Sequence, residues 1–173
     1  MPRRAAEPLE GDGGVVPELT EAVRRAGPAD AQRFIELTWE FFRGLLRHRG
    51  GDLLLAPTEA VFEIDRFTEL ITDPDRLVLV GTVDDVVVAT ALAHTEVFAD
   101  GRELASFDGI YVEPEGRSVG LGQLLATEIE EWARRRGCMG IDGRALPGDR
   151  EAKAFFETNG YKARFIMMHR ELA

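Results

Sequence analysis

Six consecutive residues, Arg117-Ser118-Val119-Gly120-Leu121-Gly122, have the composition of an anion-binding loop. Glycines let a ligand come close to the main chain, and an apolar period begins at once, with Leu121, Leu125, Ile129 and Trp132 at helical spacing up to Arg136. Leu104 to Val112 reads as a strand ahead of it. The loop therefore sits at a helix N-terminus, where first-turn N–H groups lack intrahelical partners and the macrodipole is positive. Phosphate is the anion that suits such a site best. Gln123 and Leu124 stand where a Walker loop needs Lys and Ser or Thr, and Leu125 stands where a dinucleotide fingerprint needs its third glycine.

The elements that position this loop can be read in order. Residues 1–17 mix Pro, Gly and charged residues and predict a mobile tail, leaving 18–173 as one domain. Leu19 to Ala26 predicts a strand, and Pro28 opens a helix from Ala29 to His48. That helix carries two apolar stripes, Phe34, Leu37, Phe41 and Leu45 beside Ile35, Trp39, Phe42 and Leu46. The pair is wider than one core-facing seam requires; packing explains it most simply, and an acceptor pocket or a homodimer contact is the sharper reading. Leu53 to Ala56 reads as a crossing segment, and Pro57-Thr58 starts a second helix that ends near Asp73-Pro74. Two β-rich runs, Arg76 to Val83 and Val86 to Val97, flank Asp84-Asp85 as a hairpin without the usual turn glycine. After the loop helix, Gly137 suits its C-terminus, Cys138 to Asp142 predicts a short strand, Asp149 to Asn159 a helix, and Tyr161 to Leu172 one or two final strands.

Composition narrows the function classes. The net charge of −10 works against general nucleic-acid binding, which needs a basic face to neutralise phosphates. No apolar run is long enough to span a bilayer, and the lone Cys138, read as core rather than nucleophile, points to a reducing cytoplasm. His48, His94 and His169 are scattered and suggest no metal.

The R-x-x-G-x-G of Arg117 to Gly122, preceded by the Y-V-x-P of Tyr111 to Pro114, resembles the pyrophosphate-binding motif of the GNAT superfamily, the acyl-CoA-dependent N-acetyltransferases. A second stretch, Asp149 to Tyr161, resembles that family's N-x-x-A-x-x-L/F-Y-x-x-x-G-F signature, with Ala152, Phe155, Gly160 and Tyr161 matching in position and kind. The resemblance covers Arg76 to Leu172 well. It implies a single-domain α/β (α+β) fold with a mixed central sheet of about six to seven strands and helices on both faces. It also implies acetyl-CoA as co-substrate, no metal, and direct attack of an amine on the thioester in a ternary complex. By the same resemblance the coenzyme meets Val112, Arg117, Ser118, Val119, Gly120, Leu121, Gly122, Asp149 and Phe156, with the Val112 main-chain N–H facing the thioester carbonyl. Such a donor, aimed at a developing oxyanion, contributes several kcal/mol where water is excluded.

Three positions depart from the family pattern. Phe156 stands where many relatives have the tyrosine that protonates the leaving thiolate, Asp149 where many have asparagine, and Ser118 where a glycine is common. Asp149 reads most simply as a helix cap. For the base that accepts the amine's proton, two-residue alternation puts Ser106, Asp108, Ile110 and Val112 on one strand face, which makes Asp108 the first choice; His94 and Glu96 on the neighbouring strand are second. Lys153 and Arg144 are read as ordinary solvated charges that could also meet the adenosine phosphate. Acceptors divide into small amines (amino acids, polyamines, aminoglycoside-like compounds) and protein amino groups, and an acidic chain weakly favours cationic ones by steering. The alternative is a coenzyme A-binding sensor or interaction module with little catalysis, a reading that Phe156 keeps open.

Overall fold

The computed structural model describes residues 19–55, 63–170 and 172. The segment 1–17 and the helix start at Pro57-Thr58 lie outside them. One mixed sheet runs in chain order, β1 (Glu21–Arg25), β2 (Arg76–Val83), β3 (Val86–Val97), β4 (Glu103–Val112) and β5 (Ile141–Asp142). The first four strands are antiparallel, and β5 lies parallel to β4. Helices α1 (Ala31–Leu45), α2 (Gly51–Leu55), α3 (Ile64–Thr72), α4 (Leu121–Arg136) and α5 (Arg150–Thr158) complete the chain.

The sheet separates two cores. Apolar residues alternate along the strands, so Leu77, Leu79, Ala89, Ala91 and Ala93 pack against α4, with Leu121, Leu125 and Ile129 fully buried. Val78 and Leu92 point the other way, to Phe34 of α1 and Phe67 of α3, whose rings lie 5.0 Å apart. Asp30 anchors the start of α1. Its buried carboxylate accepts N–H from Gly27 at 2.8 Å and pairs with the Arg24 guanidinium at 2.7 Å, and that guanidinium holds the Asp30 pKa below its usual value.

The sheet has five strands rather than the expected six to seven, because the described residues after Tyr161 form no ladder. β5 pairs over only Ile141 and Asp142, too short an edge to template a neighbour. Phe165, Ile166, Met167 and Met168 are exposed, and Arg164 is tied to Asp142 by its guanidinium. Leu53 and its neighbours, expected to cross between helices, belong to the short helix α2.

The turn between β2 and β3 carries Asp84 and Asp85 at φ 48° and 65°. This is the conformation that lets a two-residue loop match the strand twist, and it is strained for a residue with a Cβ. The Asp84 carboxylate accepts the Thr20 N–H at 3.0 Å, which offsets part of that cost; among the described residues Asp85 has no such bond. Asp85→Gly is therefore expected to stabilise the fold by about 0.5–1 kcal/mol, read as a higher urea midpoint with an unchanged slope. A lower midpoint would mean that the Asp85 side chain contributes more than its backbone costs.

Candidate active site

β4 and β5 part company after two residues. Their pairing covers Ala105 with Ile141 and Ser106 with Asp142, so from Phe107 to Val112 the β5-facing edge of β4 has no strand partner among the described residues. Glu113 donates its N–H to Val88 at 3.0 Å, and alternation along the ladder turns the Val112 amide away from β3, toward that open edge. Arg117 marks the same side, donating from Nε to the Val112 carbonyl at 3.1 Å. A peptide N–H facing a gap in a sheet can meet a ligand carbonyl.

At the end of β4 the chain forms a 3₁₀ turn, Pro114–Val119, and enters α4 through Gly120. Gly120 adopts φ 85°, which a side chain disfavours, and no crowding opposes a ligand there, since the nearest atom to an added Cβ is 4.0 Å away. Gly116 is small for another reason: an added Cβ would sit 3.2 Å from both Val112 and Val88. The main chain of Ser118 and Val119 lies in the turn; their side chains are outside the described residues. Leu121 is fully buried and its side chain belongs to the core beneath α4. Arg117 commits its side chain to the Val112 carbonyl and to Glu151, at 3.0 Å, bracing the loop against α5. Arg33 of α1 braces the approach to the loop, with Nη2 2.6 Å from Glu113 and Nε donating to the Val87 carbonyl at 3.0 Å.

A bulge reorganises β4 upstream of the gap. The register runs from Ala93 opposite Phe107 to Leu92 opposite Gly109, leaving Asp108 as the extra residue. The expected alternation fails here. Ile110 and Val112 turn to the α4 core, as do Ala105 and Phe107, whereas Asp108 stays with His94 on the α1 side. Gly109 faces that side too, and an added Cβ would meet the Phe41 ring at 2.8 Å. Asp108 and the second-choice residues thus come together. His94 Nδ1 lies 2.7 Å from Asp108 Oδ1, a contact that becomes an ion pair when the imidazole is protonated, while Nε2 lies 3.0 Å from Glu96 Oε1. The Asp108 carboxylate raises the pKa of half-buried His94 above its ordinary value, with Glu96 adding to the effect and burial opposing it. Arg76 Nη1 approaches Asp108 Oδ2 at 3.5 Å, and Arg144 Nη2 reaches Oδ1 at 4.0 Å. Arg144 therefore joins this cluster at its edge. Lys153 pairs loosely with Glu157 at 3.6 Å.

Arg76, His94, Asp108 and Arg144 line a cleft of about 460 Å³ between α1, the bulged strands and α5. The two stripes of α1 have divided roles: Phe34 and Leu37 are core, Phe41, Phe42 and Leu45 line the cleft, and Trp39 and Leu46 are exposed. Asp149 caps α5 as expected, accepting the Ala152 N–H at 2.9 Å, and also borders the cleft. Phe156 closes one wall, stacked edge-on to Phe107 at 5.7 Å and lying so near Gly143 that an added Cβ would be 2.3 Å from its ring. The nearby Tyr161 hydroxyl donates to Glu130 at 3.1 Å and is no substitute acid; burial first, then Glu130, raises its pKa. The grouping of Arg76, Arg144 and the His94–Asp108 pair has no signal in the sequence, since it depends on a one-residue bulge.

A strand half released from its parallel neighbour, running into a glycine turn that caps a helix, is the architecture of an acetyltransferase. The chain belongs to the acetyltransferase (GNAT) family, whose model matches residues 32–161. No curated protein matches it by sequence. Its fold is similar to that of a transcriptional regulator from Bacillus halodurans C-125, with TM-score 0.70, 20% identity and coverage of 88% of this chain and 100% of that one. A Trypanosoma brucei acetyltransferase gives TM-score 0.64 at 20% identity over 88% and 100% of the two chains. The aminoglycoside N-acetyltransferase AAC(6')-Iy, solved in complex with CoA, gives TM-score 0.69 at 14% identity over 92% and 99%.

Proposed function

We propose that this protein is an N-acetyltransferase that moves the acetyl group of acetyl-CoA to the primary amine of a small acceptor by direct attack in a ternary complex. The observation that carries the reading is the unpaired edge of β4, which has a helix-capping glycine turn at one end and the His94–Asp108 pair at the other. Main-chain amides from Arg117 to Gly122 bind the coenzyme pyrophosphate, assisted by the dipole of α4. The Val112 N–H polarises the thioester carbonyl, and the His94–Asp108 pair takes the amine's proton. Arg117 supports the loop from behind rather than by contact with phosphate. Asp149 orders the first turn of α5, and Phe156 shapes the wall beside the acyl site. The CoA complex of a structural neighbour supports the coenzyme assignment. A cleft, rather than an open groove, favours small acceptors over protein substrates.

Phe156 favours the second reading, coenzyme binding without turnover, because its ring cannot protonate the leaving thiolate. A thiol with a pKa of about 8.5 needs little help near neutral pH, and solvent can supply that proton. Thiol release from acetyl-CoA, followed over a panel of primary amines, separates the two. Amine-dependent release above the hydrolytic background supports transfer; calorimetric binding of acetyl-CoA with no release for any amine supports the sensor. Half-buried Cys138 fits a reducing cytoplasm, and the exposed Trp39 and Leu46 offer a contact for a homodimer. Elution at the mass of one chain would remove the dimer.

A further inference from the structure

Arginines gather in the cleft of an acidic chain. The protein carries a net charge of −10, yet the cleft is lined by Arg66, Arg76 and Arg144 against Asp108 and Asp149. Arg66 pairs with Glu69 at 2.7 Å, and Arg76 with Asp73 at 3.4 Å and Asp108 at 3.5 Å. Arg144 has no ion partner among the described residues closer than Asp108 at 4.0 Å, and its side chain is 57% exposed. Its guanidinium keeps a donor fork for a ligand, shaped to grip a carboxylate through two parallel bonds. Facing it, Phe41, Phe42 and Leu45 of α1 and Tyr111 of β4 supply an apolar wall.

We infer that the acceptor is an α-amino acid with an aromatic or large aliphatic side chain, its carboxylate held by Arg144 and its amine delivered to the His94–Asp108 pair. The inference rests on the acetyl-transfer reading above. Three features select this class. Arg144 and His94 approach the same Asp108 oxygen, at 4.0 and 2.7 Å, so a donor for a carboxylate and an acceptor for an amine's proton meet at one corner of the cleft, as the two groups meet on one α-carbon. Arg66 and Arg76 each have a nearer carboxylate, which leaves Arg144 as the one lining cation on offer among the described residues and suits a monoanion better than a phosphate dianion or a polycation. The apolar wall suits a side chain that buries hydrophobic surface. In the reaction the amine nitrogen bonds to the acetyl carbonyl carbon and the carbon–sulfur bond breaks. The nitrogen's proton passes to the His94–Asp108 pair, and the coenzyme thiolate is protonated from solvent.

The test is steady-state thiol release by the full chain with acetyl-CoA and L-phenylalanine, L-tryptophan or L-leucine, against 2-phenylethylamine, which lacks the carboxylate, and sisomicin, a polycation. At least one amino acid is expected to exceed both controls in kcat/KM by about tenfold or more, since a charge-assisted bidentate pair is lost without the carboxylate. Arg144→Glu is expected to bring the ratio of amino acid to 2-phenylethylamine to about one or below. A wild-type ratio at or below one overturns the inference, as does a ratio that Arg144→Glu leaves unchanged. Acetyl-CoA titrated by calorimetry distinguishes the failures. Binding with turnover of only 2-phenylethylamine or sisomicin sinks the acceptor class alone, whereas absence of binding sinks the acetyl-transfer reading with it.

Discussion

Gly120→Glu is expected to weaken acetyl-CoA binding at least about a hundredfold, enough to remove the calorimetric signal at micromolar protein. Two effects act together. At φ 85° any residue with a Cβ carries about 1–2 kcal/mol of backbone strain, which loosens the first turn of α4. The larger effect is charge. A carboxylate placed about 4 Å from a pyrophosphate oxygen costs about 4 kcal/mol at an effective dielectric of about 20, and solvent screening brings this down without abolishing it. Glu21 already lies against this turn, its Oε2 4.0 Å from where a Cβ on residue 120 would sit, so the new carboxylate has little favourable company. Gly120→Asn supplies the control, because asparagine tolerates the left-handed backbone and carries no charge; it should weaken binding no more than about tenfold. Equal losses in the two variants would show that backbone shape, rather than an anion at this turn, determines binding.

The second large effect concerns the proton. His94→Gln and Asp108→Asn are each expected to lower kcat about a hundredfold or more, the usual contribution of a positioned base. Their pH profiles should differ from the wild type in a defined direction. Asp108 is the main cause of the raised His94 pKa, so the acidic limb of the wild-type kcat profile should lie above pH 6.5, where the protonated imidazole can no longer accept. Removing the charge in Asp108→Asn should move that limb to lower pH while the rate falls. If Asp108 served only to brace the bulge, the rate would fall and the limb would stay.

Stability carries the opposite sign. A pKa raised by folding contributes stability that is fully present below the unfolded value of 6.5 and is lost as pH rises through the folded value. His94 therefore stabilises the fold most where the enzyme is least active. A urea midpoint that falls across this window in the wild type, and does so less in Asp108→Asn, would carry that linkage.

Short-range chemistry makes part of this molecule legible in its sequence. The glycine turn and α4 can be read because conformation there depends on neighbours in sequence: Gly120 and Gly137 take the left-handed conformation that their positions require, and Leu121, Leu125 and Ile129 bury the face that their spacing defines. The cap at Asp149 is legible for the same reason, being a bond to a residue three positions on.

What the sequence by itself determined, then, was the family, the order of elements through α5 apart from the short helix α2, and the glycine turn, since each is written in short-range spacing. Tertiary structure alone decided the rest. Alternation predicts a face only while the ladder stays in register, and the single extra residue at Asp108 sends Ile110 and Val112 to one core while keeping Asp108 beside His94, fourteen positions away in sequence and on another strand. Arg76 and Arg144 join the same carboxylate from β2 and from the segment after β5, a convergence that only strand order can produce. The final strands expected beyond Tyr161 fail for a like reason: a β-prone run forms a strand only where an edge is offered, and β5 offers two residues.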